Sequence, residues 1–585
     1  MLKLLKYLKR YWWAALLAPL FMIGEVAMDF LITKQMQLLI DNGIQSSNIE
    51  AVKSIGLVML FYLAIGVACG ILSGVFANIA SCSFANDLRK GLFDKIMQLS
   101  YDQTDDFSTS SLITRVTNDV TQMQNFVGQL IRMFIRSAGM FVLGIIFTIS
   151  IDVRFSLVLA IVLPLEVLMM LIFMKKTFPV FSIIQKKLDK VNNVVHENVS
   201  GARVVKAFSK EDYEDARFKN VNGDYALTQL NINKLLALLM PIFMLLIYGA
   251  QIALYTIGGI DIFGAFENNG ATPTISIGEI SQATMYVVMI CFALMQVGMM
   301  FASIARASAS GKRINAVLEC PLEIVDGNLD VNSVSESGTV EFKNVSFAYP
   351  NASGNVLENL NFKINKGETV CIVGATGSGK STLVNLITRF YDVTEGEVLV
   401  NNHNVKEYRQ VDLRDKIAIA LQKSELFAGT IKDNILWGKP DATDEEVIEA
   451  AQIAQAEEFI LSKTDKYDEF VEEKGTSLSG GQKQRLSIAR AIIKKPEILI
   501  FDDSSSALDL VTEAKLYKAM KEKINETTRI VVAQRVATAK NADRIIVLDG
   551  GSIVAFDTHD NLLNTCEVYQ DIYNSQLKRE GDFNG

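Results

Sequence analysis

Val370 to Ser381 reads VCIVGATGSGKS, and the reading of this stretch decides the fold. Four apolar residues, Val370 to Val373, have the length of a buried strand, and after the turn Leu383, Leu386 and Ile387 recur at helical spacing. Between them, Gly374, Gly377 and Gly379 permit backbone paths that a Cβ would obstruct, so successive N–H groups turn inward at a helix N-terminus. Ala375, Thr376 and Ser378 complete the loop, and Thr382 follows it. In this setting Lys380 is expected to reach β- and γ-phosphates, and the Ser381 hydroxyl to face Mg²⁺. The pattern implies a nucleoside triphosphate as ligand.

Working outward, the same half of the chain carries further signals in a fixed order. TVEFKNVSFAYP alternates as a strand and ends near Tyr349, an aromatic that could stack on a purine or simply belong to the strand. Gln422 closes the strand-like run KIAIALQ. Leu478, Ser479, Gly480, Gly481 and Gln482 precede the helix pattern KQRLSIARAI, so their N–H and hydroxyl donors stand at a helix N-terminus, suited to phosphate. ILIFDD is a buried-type strand ending in Asp502, placed for Mg²⁺, and Asp503; Ser506 to Asp509 reads SALD, and IVVAQ ends at Gln534.

Toward the N-terminus the composition changes. At 585 residues the chain exceeds one core, half of it is apolar, and its mean hydropathy is +0.24. Six segments suffice to cross a bilayer: Tyr11 to Ile32, Ile55 to Ile79, Phe134 to Ile151, Phe155 to Met174, Leu235 to Gly259 and Ile280 to Ile304. Short links join them in pairs, whereas the second and third, and the fourth and fifth, are separated by long charged stretches of helical pattern. These connectors hold Arg89, Lys90, Lys95, Lys175, Lys186 and Arg203, while 261–279 has no Lys or Arg, which predicts cytoplasmic connectors, termini and nucleotide half. The basic start MLKLLKYLKR leads into a span too long for a signal peptide.

Composition also excludes. A net charge of −8 gives no basic field for nucleic acid. Six cysteines without paired spacing indicate neither a disulfide framework nor a metal site. Glu25, Asp29 and Glu166 fall within spans, where ionisable groups are costly. Three readings stay open: a structural bridge from Glu25 or Asp29 to an arginine such as Arg132 or Arg136, a cavity for cationic substrate, and an interfacial position at the edge of a span. Met-rich stretches suit a pliable binding surface and lipid-facing packing equally.

Phosphate loop, glutamine loop, LSGGQ, acidic strand end and SALD, in this order, resemble the nucleotide-binding domain of ATP-binding cassette (ABC) transporters. With six preceding spans the whole chain resembles a bacterial exporter half-transporter. The resemblance implies a multidomain membrane protein, an all-α six-helix transmembrane domain of the type I exporter kind followed by an α/β P-loop nucleotide-binding domain. Expected boundaries are 1–319 for the membrane domain, 320–339 for a linker, 340–575 for the nucleotide domain and 576–585 for a polar tail. It also implies ATP and Mg²⁺, the latter through Ser381, Gln422 and Asp502, coupling segments around Asp105 to Ser111 and Ser209 to Asp215, and a place in the bacterial cell membrane.

Two departures from the family pattern matter. Asp503 stands where the family has a glutamate general base, and Gln534 where it has a switch histidine. VEEKG likewise replaces the family's VGExG before the signature. Paired degeneracy of this kind resembles one subunit of heterodimeric multidrug exporters, which implies a second, non-identical half-transporter as partner. The chain's own phosphate loop would then form the slow site, and Ser479 and Gly480 would complete the partner's ATP site. The expected cargo is an amphipathic drug-like molecule or a lipid; the competing readings are a nucleotide-gated regulatory or channel-like subunit and a homodimeric flippase or peptide exporter.

Overall fold

The computed structural model describes residues 2–267, 273–330, 337–350, 352–505 and 507–582. The chain forms two compact units, Met1–Met97 with Ser108–Cys320, and Gln98–Phe107 with Pro321–Gly585.

The first unit is helical throughout. Its rods are α1 (Lys3–Ile44) and α2 (Ile49–Ile96), then, after α3 (Tyr101–Phe107) of the second unit, α4 (Thr109–Ile151), α5 (Val153–Ser200), the short α6 (Ala202–Ala207), α7 (Glu211–Ala265) and α8 (Ile277–Leu318). The six long rods each hold a stretch apolar enough to cross a membrane. At 48 residues α2 extends about 72 Å, far more than the ~30 Å hydrocarbon layer, so the polar connectors are continuations of the spans. Asp152 alone separates α4 from α5, its carboxylate capping the new helix by accepting from Arg154 N at 2.7 Å. Ser276 and Glu279 form a reciprocal cap at the start of α8.

Small residues let these helices approach closely, as packing in lipid requires. A Cβ on Gly70 of α2 would stand 2.8 Å from Glu25 Oε2 of α1, and Ser73 Oγ donates to Ala18 O at 2.9 Å. Outward faces remain apolar and exposed, with Leu57, Leu60 and Phe61 as examples. Buried Asp119 ties α4 to α8, accepting from Ser310 Oγ and Arg313 Nε at 2.8 Å each.

The second unit is built on two sheets. Its strands are β1 (Val340–Phe347), β2 (Leu357–Ile364), β3 (Thr369–Gly374), β4 (Glu395–Val400), β5 (His403–Asn404), β6 (Ile417–Ala420), β7 (Gly429–Thr430), β8 (Phe470–Val471), β9 (Ile498–Asp502), β10 (Thr528–Val532), β11 (Arg544–Asp549) and β12 (Ser552–Asp557). An antiparallel sheet runs β2-β1-β4-β5, and a six-stranded sheet runs β12-β11-β3-β10-β9-β6. In the latter, β11, β3, β10, β9 and β6 are parallel. Both faces are covered, which is why β9 and β10 are buried at every residue. Adjacent parallel strands end in register, with Val532 opposite both Ile372 and Asp502. The loops leaving β3, β6, β9 and β10 therefore emerge along one edge, where open α/β sheets bind ligands.

Three stretches singled out in the sequence take a definite form here. The helix α3 begins at Tyr101, ahead of the expected Asp105 to Ser111, and packs with the nucleotide unit: the Tyr101 ring lies 5.2 Å from that of Phe390, and Gln103 Nε2 donates to Pro321 O at 2.6 Å. The described start of the 320–339 stretch is docked, because Gly327 N and Leu329 N donate to Tyr408 O and Glu407 O at 3.0 and 2.9 Å. Such edge pairing leaves no periodic trace in sequence. The 576–585 stretch begins inside a helix, Glu567–Asp582.

Candidate functional site

The phosphate loop is held open by its own backbone. Gly377 and Gly379 have φ of +85° and +95°, conformations that favour glycine, and a Cβ on Gly377 would project into empty space. Helix Lys380–Ile387 follows at once, so its first-turn N–H groups lack helical acceptors. Ser378 Oγ is buried with no hydrogen-bond partner among the described residues. Lys380 Nζ donates to Gly374 O at 3.0 Å and Ala375 O at 2.8 Å. Burial holds this ammonium below its ordinary lysine value, opposed by the charges of Asp503 and Asp502. Cradle, orphaned hydroxyl and cation together fit a polyphosphate.

Ser381 Oγ donates to Asp502 Oδ1 at 2.9 Å, so two of the three expected Mg²⁺ ligands already meet. The third, Gln422, lies beside them but donates its amide Nε2 to Asp503 Oδ2 at 3.2 Å. Hydroxyl, carboxylate and amide oxygens are the hard donors Mg²⁺ takes. No group of three or more His, Cys, Asp or Glu suited to a metal occurs among the described residues, so protein ligation alone would be sparse, as at sites where phosphates supply the remaining oxygens.

Asp503 is the point of convergence. Its Oδ2 accepts from Gln422 and, at 2.7 Å, from Gln534 Nε2, so the glutamine loop, the strand-end carboxylate and the switch position share one oxygen. Its backbone has φ of +49°, a left-handed conformation that Asp tolerates better than most residues. Burial pushes the carboxyls of Asp502 and Asp503 above the ordinary aspartate value, against hydrogen bonds from Ser381 and from the two glutamines.

LSGGQ lies elsewhere in this unit. Ser479 Oγ accepts from Gln482 N at 3.4 Å while Gln482 Oε1 accepts from Ser479 N at 3.0 Å, so the signature is the capping box of helix Gly480–Ile492. Leu478 is buried as its anchor, whereas Ser479 and Gly480 are exposed. Gln484 of that helix accepts from Ala507 N at 3.0 Å, fixing the adjoining loop, and Asp509 caps the next helix through Thr512 N at 2.9 Å. Ser506 lies outside the described residues.

Tyr349 lies beside the helix that follows the phosphate loop. Its ring stands at 89° to Tyr391 with centroids 5.2 Å apart, and its hydroxyl lies 3.0 Å from Thr382 Oγ1, beside the phosphate loop's helix. Sequence reasoning missed Gln576. Its Nε2 donates to Gln534 O at 2.7 Å and its Oε1 accepts from Val536 N at 2.8 Å, clamping the switch segment from helix Glu567–Asp582. A glutamine in a polar C-terminal helix carries no signal in sequence.

The three intramembrane carboxylates do not gather in one place. Arg136 Nη2 lies 3.4 Å from Glu25 Oε1 and 3.5 Å from Asp29 Oδ2, a three-member bridge of α1 and α4. Glu166 shares no ion pair or hydrogen bond with it and lines a cavity of about 600 Å³ between α5, α7 and α8. Met169, Met170, Phe173, Met295 and Met299 supply its apolar wall.

Residues 15–266 match the ABC transporter transmembrane region family and residues 357–506 the ABC transporter family. YfiB of Bacillus subtilis, an uncharacterized ABC transporter ATP-binding protein, is 37% identical over 99% of both chains. YgaD of the same organism, named for multidrug export, is 34% identical over 86% of this chain and 85% of its own. A bacterial Atm1-family ABC exporter solved with ATP bound superimposes at a TM-score of 0.78, with 24% identity, covering 97% of this chain and 98% of that one, and shares the fold. Six membrane helices and an ATP-binding cassette thus occupy one polypeptide, and the chain belongs to the ABC transporter family as an exporter-type half-transporter.

Proposed function

We propose that this chain is one subunit of a heterodimeric ATP-driven exporter, that its own phosphate loop forms the slow site, and that its signature completes the faster site of a different half-transporter. The observation that carries this reading is Asp503, with its Oδ2 already taken by Gln422 and Gln534. As an aspartate it is one methylene shorter than glutamate, which draws the base back by ~1 Å, and misplacement on that scale can cost ~10²-fold. Gln534 holds the carboxylate but, being neutral, brings no imidazolium charge to a developing phosphate anion. Both losses fall on one site, while Ser479 and Gly480 of the signature remain exposed at the start of their helix.

Mg²⁺, held by Ser381, Asp502 and the amide oxygen of Gln422, would neutralise phosphate charge when bound. Lys380 exchanges its two loop carbonyls for phosphate oxygens, and Asp503 takes the proton of the attacking water at a carboxylate oxygen. We assign the relay of nucleotide-domain closure to α3 and to the stretch around the start of α7, where Phe208 and Tyr213 are exposed for a partner. The differential affinity of ATP for the two states drives the change of access. The methionine-walled cavity beside Glu166 suits an amphipathic cargo, in line with the name of YgaD. The connectors and nucleotide unit face the cytoplasm of a bacterial cell.

Native mass spectrometry of the tagged chain extracted from its own membrane tests the pairing. A complex of the 64.7 kDa chain with one chain of different mass is expected. Two copies of the 64.7 kDa chain alone would overturn it.

A further inference from the structure

At the far end of the parallel sheet from the phosphate loop lies a cavity of about 280 Å³ between helix Leu510–Lys523 and the starts of β3 and β10. Arg529, paired in register with Thr369, forms its floor. This arginine is only 7% exposed, and among the described residues its Nε has no hydrogen-bond partner and no carboxylate comes within 4 Å of its guanidinium. A buried unpaired cation is an expensive thing to keep. On the rim Lys518 and Lys521, three residues apart on one helix face, add two like charges with no ion-pair partner among the described residues. The one carboxylate in the lining, Asp543, is engaged by Thr369 N at 2.8 Å. Three cations against the single charge of Asp543, which also acts on Arg529, leave an excess of positive charge around a space just below the ~300 Å³ of drug-sized pockets.

The inner wall connects to the nucleotide site. Thr538, which lines the cavity, donates to Glu513 Oε1 at 2.6 Å, and Ser505 donates to the same oxygen at 2.9 Å. Arg535 reaches Glu513 Oε2 at 3.1 Å. Buried Glu513 thus joins the cavity wall to the residue two after Asp503 and the residue next to Gln534. We propose that this cavity is an effector site for a small phosphate-bearing anion, and that its occupancy, through Thr538 and Glu513, sets the position of the Asp503 and Gln534 loops. Guanidinium and two ammonium groups bind the anion; the Glu513 network carries the effect. The site needs no assumption about the partner chain or the cargo.

The test uses the full-length protein in nanodiscs. Calorimetric titration of the Lys380→Ala protein, in which phosphate capture at the nucleotide site is weakened, employs inorganic phosphate, pyrophosphate and glycerol 3-phosphate as probes and so separates free phosphate from phosphomonoesters. At least one should bind saturably, and Lys518→Ala, Lys521→Ala and Arg529→Gln combined should weaken it by about tenfold or more. Because Arg529 is buried, the solvent-facing pair Lys518→Glu and Lys521→Glu repeats the comparison without disturbing the core. In the otherwise native protein that probe should change steady-state ATPase, and the glutamate pair should remove the change. Failure of all three probes to bind, or binding indifferent to both sets of substitutions, would overturn the site. Binding with unchanged ATPase would overturn the coupling.

Discussion

Gln576 gives the sharpest test of how the switch segment is held. Replacing it by alanine removes two hydrogen bonds, at 2.7 Å to Gln534 O and 2.8 Å from Val536 N, and leaves the phosphate loop, Asp503 and the sheet untouched. At ~0.5–1.5 kcal/mol net for each bond, the segment should lose about 1–3 kcal/mol of local stability. That corresponds to a population of opened loop about 5- to 150-fold higher. Amide hydrogen exchange reads this directly, because the Val536 N–H is one of the two bonded groups. Faster exchange in this range should be confined to the peptide spanning 533–537, with β3, β9 and β10 unchanged. Unaltered exchange there would refute the clamp, and equal acceleration throughout the unit would mean that Gln576 merely stabilises the domain.

Two further expectations concern buried charge. Arg136→Met would leave Glu25 and Asp29 facing one another without a counter-charge; breaking a buried pair costs ~3–5 kcal/mol, and with Arg136 37% exposed about 1–3 is expected. Thermal unfolding in detergent should show the loss, and adding Glu25→Gln and Asp29→Asn should restore most of it; no recovery would rule out the three-member bridge. For Asp503, burial raises the folded pKa above the unfolded 3.8, so the folded state binds that proton more tightly. The associated stability is present below the unfolded value and lost as pH rises through the folded one. At pH 7.5 Asp503→Asn should therefore raise Tm, a gain that vanishes toward pH 4, whereas a lowered Tm would contradict the burial argument.

The residues of the phosphate-loop and signature motifs were legible because their backbone geometry constrains local sequence. Gly377 and Gly379 must reach positive φ, and Ser479 and Gln482 must sit three apart to cap one helix. The six rods were legible from apolar length, and their extension beyond the membrane from unbroken helical pattern. What sequence did not disclose depends on partners far apart in the chain. Arg136 chooses between readings of Glu25 and Asp29 only once α1 and α4 pack, and Gln422 is seen to bond Asp503 only when β6 and β9 lie side by side. Tyr349 faces Thr382 through a hydroxyl contact spanning 33 residues, and α3 leaves the helical unit because its aromatic ring finds Phe390. No local pattern encodes such choices.

The central claim is that one polypeptide carries a tolerant base and an intolerant signature. Steady-state ATPase of the purified transporter, native beside Asp503→Asn and Gly480→Asp, tests it most directly. Loss of donors at the exposed signature should lower turnover by ~10²- to 10³-fold, as for one lost transition-state donor, while Asp503→Asn should change it by about twofold or less. If Asp503→Asn were as damaging as Gly480→Asp, this chain's own site would be the hydrolytic one, and the proposed division of labour would be wrong.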